Sequence, residues 1–128
     1  MYAIIADQKY GKSCARILRK IQEGDIEAWA SLLLLLEVSR ALQKIGMKRT
    51  KILETIRAIL SLPIRFVPID EKILMKSLEF FKAYGISPYD CVHAATAAFA
   101  GIRFLVSADK GFDKINEVSR VDPLDFSA

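Results

Sequence analysis

Four short stretches of this chain each set a carboxylate where an apolar core has no use for one. The clearest is Ser87-Pro88-Tyr89-Asp90-Cys91-Val92-His93-Ala94-Ala95. Phe104-Leu105-Val106-Ser107-Ala108-Asp109 is an apolar run that stops on an acid and leads into Gly111-Phe112-Asp113. Glu37 interrupts the greasy stretch Leu32-Leu33-Leu34-Leu35-Leu36-Glu37-Val38, and Asp7 follows Ala3-Ile4-Ile5-Ala6. Carboxylates gathered in one place repel one another unless a cation stands between them, and an oxygen-only donor set suits a hard divalent cation. If these acids converge, the chain is a metal-dependent enzyme rather than a passive domain.

Each acid also has a purely structural reading. Ser87-x-x-Asp90 resembles a capping box, and an acid at the third helical position complements the helix dipole. The small residues Ala94, Ala95, Ala97 and Ala98 let that helix pack closely on its neighbours and hold Asp90 rigidly at their edge. Asp109 ends a strand, where open α/β sheets bind ligands, but it serves equally as an N-cap for the turn that follows. Asp113 reaches the same region or is a solvated surface acid. Glu37 has Leu33, Leu36, Val38 and Ala41 as helical neighbours, so it carries a desolvation cost unless paired; Arg40 at i+3 is the local partner. His93, the only histidine, sits one turn after Asp90. It reads as a packed or hydrogen-bonded histidine near the site in preference to a metal ligand or general base. Asp25, Glu27, Glu54, Glu71 and Glu79 read as solvated faces or caps.

The elements that must position these acids follow from periodicity and punctuation. Ala15, Leu18 and Ile21 give residues 11–23 an amphipathic helical pattern, ended at Gly24-Asp25. Ile26 to Ser31 is a short strand, and Ser31 caps a helix over Leu32–Lys44 that stops at Gly46. Thr50 is a candidate cap for a third helix, which ends before Pro63. Ile64 to Ile69 is β-like. Asp70 caps a fourth helix that Tyr84-Gly85 closes, and Ser87 opens a fifth with Pro88 at its first position, running to Ala100. Arg103 to Ala108 is the next strand, Lys110 to Ile115 a helical turn, and Val118 to Val121 a last strand. Strands alternating with helices, with no linker or repeat between them, indicate one α/β layered domain with a mainly parallel sheet.

Bulk composition narrows the class. With 128 residues, 52% hydrophobic and 27% charged, the chain can bury a core and is not disordered. A net charge of +4 suits a polyanionic partner such as RNA or DNA. Two cysteines without a CxxC spacing point to a reducing cytoplasm. The longest apolar run, Ala28 to Leu36, is too short for a bilayer, which needs roughly 20 residues, and no signal peptide is visible. No glycine loop that cradles phosphate and no nucleophile motif is present, which ranks a small-phosphoester hydrolase low.

At Trp29-Ala-Ser-Leu-Leu-Leu-Leu-Leu-Glu37-Val38, Ile86-Ser-Pro-Tyr-Asp90-Cys-Val-His93-Ala-Ala-Thr-Ala97 and Phe104-Leu-Val-Ser-Ala-Asp109-Lys-Gly-Phe-Asp113 the sequence resembles a PIN domain of the kind found in VapC-type toxins. The resemblance covers nearly the whole chain, residues 1–128 as a single domain. It implies a three-layer α/β fold with a mainly parallel sheet flanked by helices. It also implies a cluster of acids that binds Mg²⁺ or Mn²⁺, cleavage of single-stranded RNA, and in many members a small antitoxin partner. Carried over by position, Glu37, Asp90 and Asp109 become catalytic and metal-binding residues, with Asp113 a further metal ligand. A homodimer fits the family habit and the apolar helices. Lys9, Lys12, Lys44, Lys48 and Arg49 are candidates to steer an RNA backbone.

The chain departs from the family pattern at its start. The family opens on a strand ending in Asp, followed by Thr or Ser and Asn. Here Met1-Tyr-Ala-Ile-Ile-Ala-Asp7-Gln-Lys-Tyr-Gly11 aligns with the end of the helix that follows. On that alignment the first strand and its acid are missing, the fold is shortened, and a gap is left at the centre of the sheet. The other alignment makes Tyr2 to Ala6 the first strand and Asp7 the first acid, with little chain before Glu37 for the usual first helix. The missing acid also admits a second function, a catalytically impaired PIN-like module that binds RNA or an antitoxin without cutting.

Overall fold

The computed structural model describes residues 2–6 and 11–125. Along the chain run β1 (Tyr2–Ile5), α1 (Gly11–Gln22), β2 (Glu27–Ser31), α2 (Leu33–Lys44), α3 (Arg49–Leu60) and β3 (Ile64–Val67). Then come α4 (Glu71–Tyr84), α5 (Pro88–Ala100), β4 (Phe104–Val106), a 3-10 turn at Lys110–Lys114 and β5 (Ser119–Val121).

The strands form one five-stranded sheet in the order β3-β2-β1-β4-β5, and every neighbouring pair is parallel. Parallel neighbours need crossover connections, which is why helices cover both faces. Successive strand residues point to opposite faces. In β4, Leu105 enters the layer with Ile73, Phe80, Ala94 and Phe112, while Val106 enters the layer with Ala3, Ile5, Ile17, Ile21 and Ala28. The result is the parallel α/β sheet that the alternating pattern implies, flanked by helices as the family resemblance implies. Among the described residues, no helix is long and apolar enough to cross a membrane.

The N-terminus corrects one expectation. Tyr2–Ile5 is β1 and lies at the centre of the sheet, with Ile4 opposite Trp29 on one side and Leu105 on the other. There is therefore no central gap, and α1 fits between β1 and β2. Asp7, the acid of the alternative alignment, lies outside the described residues.

Local chemistry accounts for most boundaries. The Asp70 carboxylate accepts from the Ile73 amide at 2.9 Å to start α4, and Gly85, at φ 66°, ends it in a left-handed conformation that favours glycine. Ser31 Oγ accepts from the Leu33 amide at 3.1 Å at the start of α2. Thr50 does not cap α3: the cap position is Lys48, and Thr50 stands within the first turn.

Candidate active site

The C-terminal ends of β1 and β4, the first turn of α5 and the body of α2 meet around a pocket of about 380 Å³. Glu37, Asp90 and Asp109 all line it, together with Ala6 and Ser107, while Leu34, Val38, Ala41 and Leu42 of α2, with Ile45 just past its end, form an apolar wall. A crevice outside the carboxyl ends of parallel strands is where such sheets bind ligands.

Asp90 is the third residue of α5 and is half-buried. The helix is capped without it, because Ser87 Oγ accepts from the Tyr89 amide at 3.2 Å. Its carboxyl instead stands near enough to that of Asp109 for a hydrogen bond when one of the two is protonated. Burial, then that hydrogen bond and the Asp109 charge, push its pKa from the ordinary 3.8 to about 6; Glu37 adds to the rise and His93 opposes it. Two carboxyls in such contact share a proton when no cation separates them.

Asp109 is held by its own turn. Its Oδ1 accepts from the Gly111 amide at 2.8 Å, and its amide donates to Ser107 Oγ at 3.0 Å. It is thus both the cap of the 3-10 turn and a wall of the pocket. Ser107 is 2% exposed, so the group that seats Asp109 is itself fixed by packing.

Glu37 is bonded through Oε1 to Nε2 of His93, and Arg40, the expected local partner, binds Gln43 instead. His93 is 1% exposed, whereas the Glu37 side chain is 39% exposed. With Glu37 as a carboxylate, Nε2 is the donor, and Nδ1 is buried with no hydrogen-bond partner among the described residues. The histidine is therefore a buried support that orients an acid at the pocket's mouth.

Asp113 does not line the pocket. Its oxygens take Arg120, Oδ1 from Nε at 2.9 Å and Oδ2 from Nη2 at 3.5 Å. Ala6, the residue before Asp7, does line it. Lys44, Lys48 and Arg49 are exposed around the α2–α3 turn, while Lys9 and the side chain of Lys12 lie outside what is described. Ser107 and Arg120 escaped the sequence reading. Ser107 had a signal, since a serine two residues before an acid forms local turns; Arg120 had none, being thirteen positions from the Ser107 carbonyl it binds.

The donor set can be tested against a divalent cation. Among the described residues, no group of three His, Cys, Asp or Glu side chains is arranged to hold a metal ion. The chemistry nevertheless fits: the donors are all oxygens, and a facing pair of acids reluctant to ionise together is relieved by a cation.

The fold has close counterparts among solved structures. The VapBC2 complex of Rickettsia felis, bound to a DNA fragment from its promoter, superposes with a TM-score of 0.71 at 17% identity, covering 95% of this chain and 98% of that one. DNA-bound VapBC from Salmonella typhimurium gives 0.72 at 14% identity over 96% and 99%. A toxin–antitoxin complex from Klebsiella pneumoniae gives 0.68 at 18% over 96% and 98%. No curated protein sequence matches. At these identities the likeness is one of fold. The sequence itself matches the PIN domain over residues 1–118. On that match the chain belongs to the PIN domain family, whose members are generally nucleases.

Proposed function

We propose that this chain is a metal-dependent ribonuclease that hydrolyses phosphodiester bonds of single-stranded RNA. The observation that carries this reading is the convergence of Glu37, Asp90 and Asp109 on one pocket at the carboxyl end of the sheet. Asp90 and Asp109 would hold Mg²⁺ or Mn²⁺, with Glu37 completing the oxygen set; Asp113, paired with Arg120, is the least suited of the four. When bound, the ion orients the scissile phosphate and lowers the pKa of a water. The chain's own residues do the rest. The first turn of α5 fixes Asp90, the Ser107 hydroxyl and Gly111 amide fix Asp109, and His93 fixes Glu37. Lys44, Lys48 and Arg49 attract the RNA backbone.

Partners follow from the surfaces. The exposed apolar side chains of Leu36 on α2 and Ile45 just past it, 70% and 76% exposed, suit a small antitoxin, in keeping with the toxin–antitoxin complexes among the structural neighbours. Exposed Leu74, Met75, Leu78 and Phe81 on α4 suit a second copy of the chain. Cytoplasm is the setting, where RNA is available and Cys91 stays a free thiol.

One observation favours the impaired module: His93 already occupies an oxygen of Glu37, leaving two facing carboxyls. Labelled single-stranded RNA with Mn²⁺ or Mg²⁺, run beside Mn²⁺ calorimetry, separates the readings. Cleavage that Asp90→Asn abolishes supports the nuclease. Mn²⁺ binding with intact RNA supports the module, and neither binding nor cleavage refutes the metal reading itself.

A further inference from the structure

We propose that Arg120 and Asp113 form a clamp that seats Asp109, so that both are positioning residues for the site and Asp113 acts through Arg120 rather than on the cation. The proposal rests on the metal-nuclease reading above.

Arg120 lies opposite Leu105 in the β4–β5 register, and its side chain is only 14% exposed. Its guanidinium is used on three sides. Nε and Nη2 grip both oxygens of Asp113 in the 3-10 turn. Nη1 donates to the Ser107 carbonyl at 3.1 Å and lies 3.6 Å from Asp122 Oδ2 just past β5. Ser107 is also held by its amide, which donates to the Val121 carbonyl at 3.1 Å.

These contacts bracket Asp109. Two residues before it, the Ser107 carbonyl accepts from Arg120 and its hydroxyl oxygen accepts from the Asp109 amide. Four residues after it, Asp113 holds the other side of the same guanidinium. The loop bearing Asp109 is thus tied to β5 at both ends by one planar, rigid fork. A lysine cannot reproduce that geometry, because an ammonium is a point charge on a flexible stem. A direct ligand role for Asp113 would require it to leave Arg120 and turn toward a pocket it does not line.

The test is a double-mutant cycle read by Mn²⁺ calorimetry, with thermal unfolding alongside. The proteins are wild type, Arg120→Gln, Asp113→Ala and the double variant. Each single change is expected to weaken Mn²⁺ binding roughly 10- to 100-fold, as loss of a ligand's support does. The double variant should bind no worse than the weaker single one, since both substitutions remove the same clamp. In RNA cleavage kcat falls while KM holds. Losses that multiply in the double variant overturn the proposal, because Asp113 then acts independently of Arg120. Unchanged binding in Arg120→Gln overturns it too. Should Arg120→Gln not fold, Arg120→Lys replaces it, keeping the charge without the fork; wild-type affinity in Arg120→Lys overturns the clamp. A wild type that binds no Mn²⁺ overturns the metal reading, and the clamp with it; a wild type that binds while the variants match it overturns the clamp alone.

Discussion

Replacing Asp90 with asparagine should stabilise this protein at alkaline pH while removing its function. Asp90 faces Asp109, Glu37 and His93, and its pKa stands at about 6 against an ordinary 3.8. The sign follows from linkage. Below pH 3.8 the folded and unfolded chains both hold the proton, and the group favours neither. Between the two values the unfolded chain ionises first, so stability falls as pH rises. Above a pH of about 6 the folded protein ionises as well and the full cost persists. The rise from 3.8 to about 6 corresponds to about 3 kcal/mol. Half-burial and solvent screening reduce this to roughly 1–2 kcal/mol. The asparagine side chain keeps a donor toward Asp109 and removes the repulsion. In a chelator at pH 8, Asp90→Asn should therefore melt higher by about 5 °C, a size set by the few degrees per kcal/mol of a domain this large. At pH 3.5 the gain should vanish. Added Mn²⁺ should raise the wild-type midpoint by mass action and leave the variant unmoved. A variant that melts lower at pH 8, or a gain of equal size at both pH values, would refute the reasoning.

Three further outcomes are expected. His93→Ala removes the buried partner of Glu37 and should cost about 2–4 kcal/mol in urea unfolding, while His93→Gln, which keeps a donor, should recover at least half; equal losses would deny the hydrogen bond a role. Leu105→Ala, fully buried between β1 and β5, should cost about 2–5 kcal/mol, and a loss below about 1 kcal/mol would contradict the central placing of β4. Cys91 is 0% exposed, and burial followed by the Asp90 charge pushes its thiol pKa up; iodoacetamide at pH 7.5 should leave it unlabelled until denaturant is added, as peptide mapping would show.

Local rules made much of this molecule legible. Asp70 with Gly85, and Ser87-Pro88 with Gly101, bound α4 and α5 where their capping chemistry predicts, because a cap is decided within a few residues. The three acids of the pocket were legible for local reasons: Glu37 interrupts a leucine run, Asp90 follows Ser87-Pro88 in the first turn of a helix, and Asp109 follows an apolar strand. What escaped depends on distant partners. β1 is only four residues long, and its place comes from pairing with Leu105 and Val106, near the other end of the chain. Glu37 offers Arg40 as a local mate, yet a buried histidine on another helix takes it. Asp113 resembles a fourth ligand by spacing alone, and a strand that follows it supplies the guanidinium that claims it. Thr50 fails as a cap because the helix begins one residue before it.

The central position of β1 bears on how the chain matures during synthesis. β2 and β3 can associate with it early, but its other edge must wait for β4, so closing the sheet requires ends of the chain far apart in sequence to meet. Such non-local pairing slows folding. Asp109 joins Glu37 and Asp90 only across that last seam, so a partly translated polypeptide lacks one acid of the pocket. The full set of pocket acids therefore forms only after β4 has been made and has paired with β1.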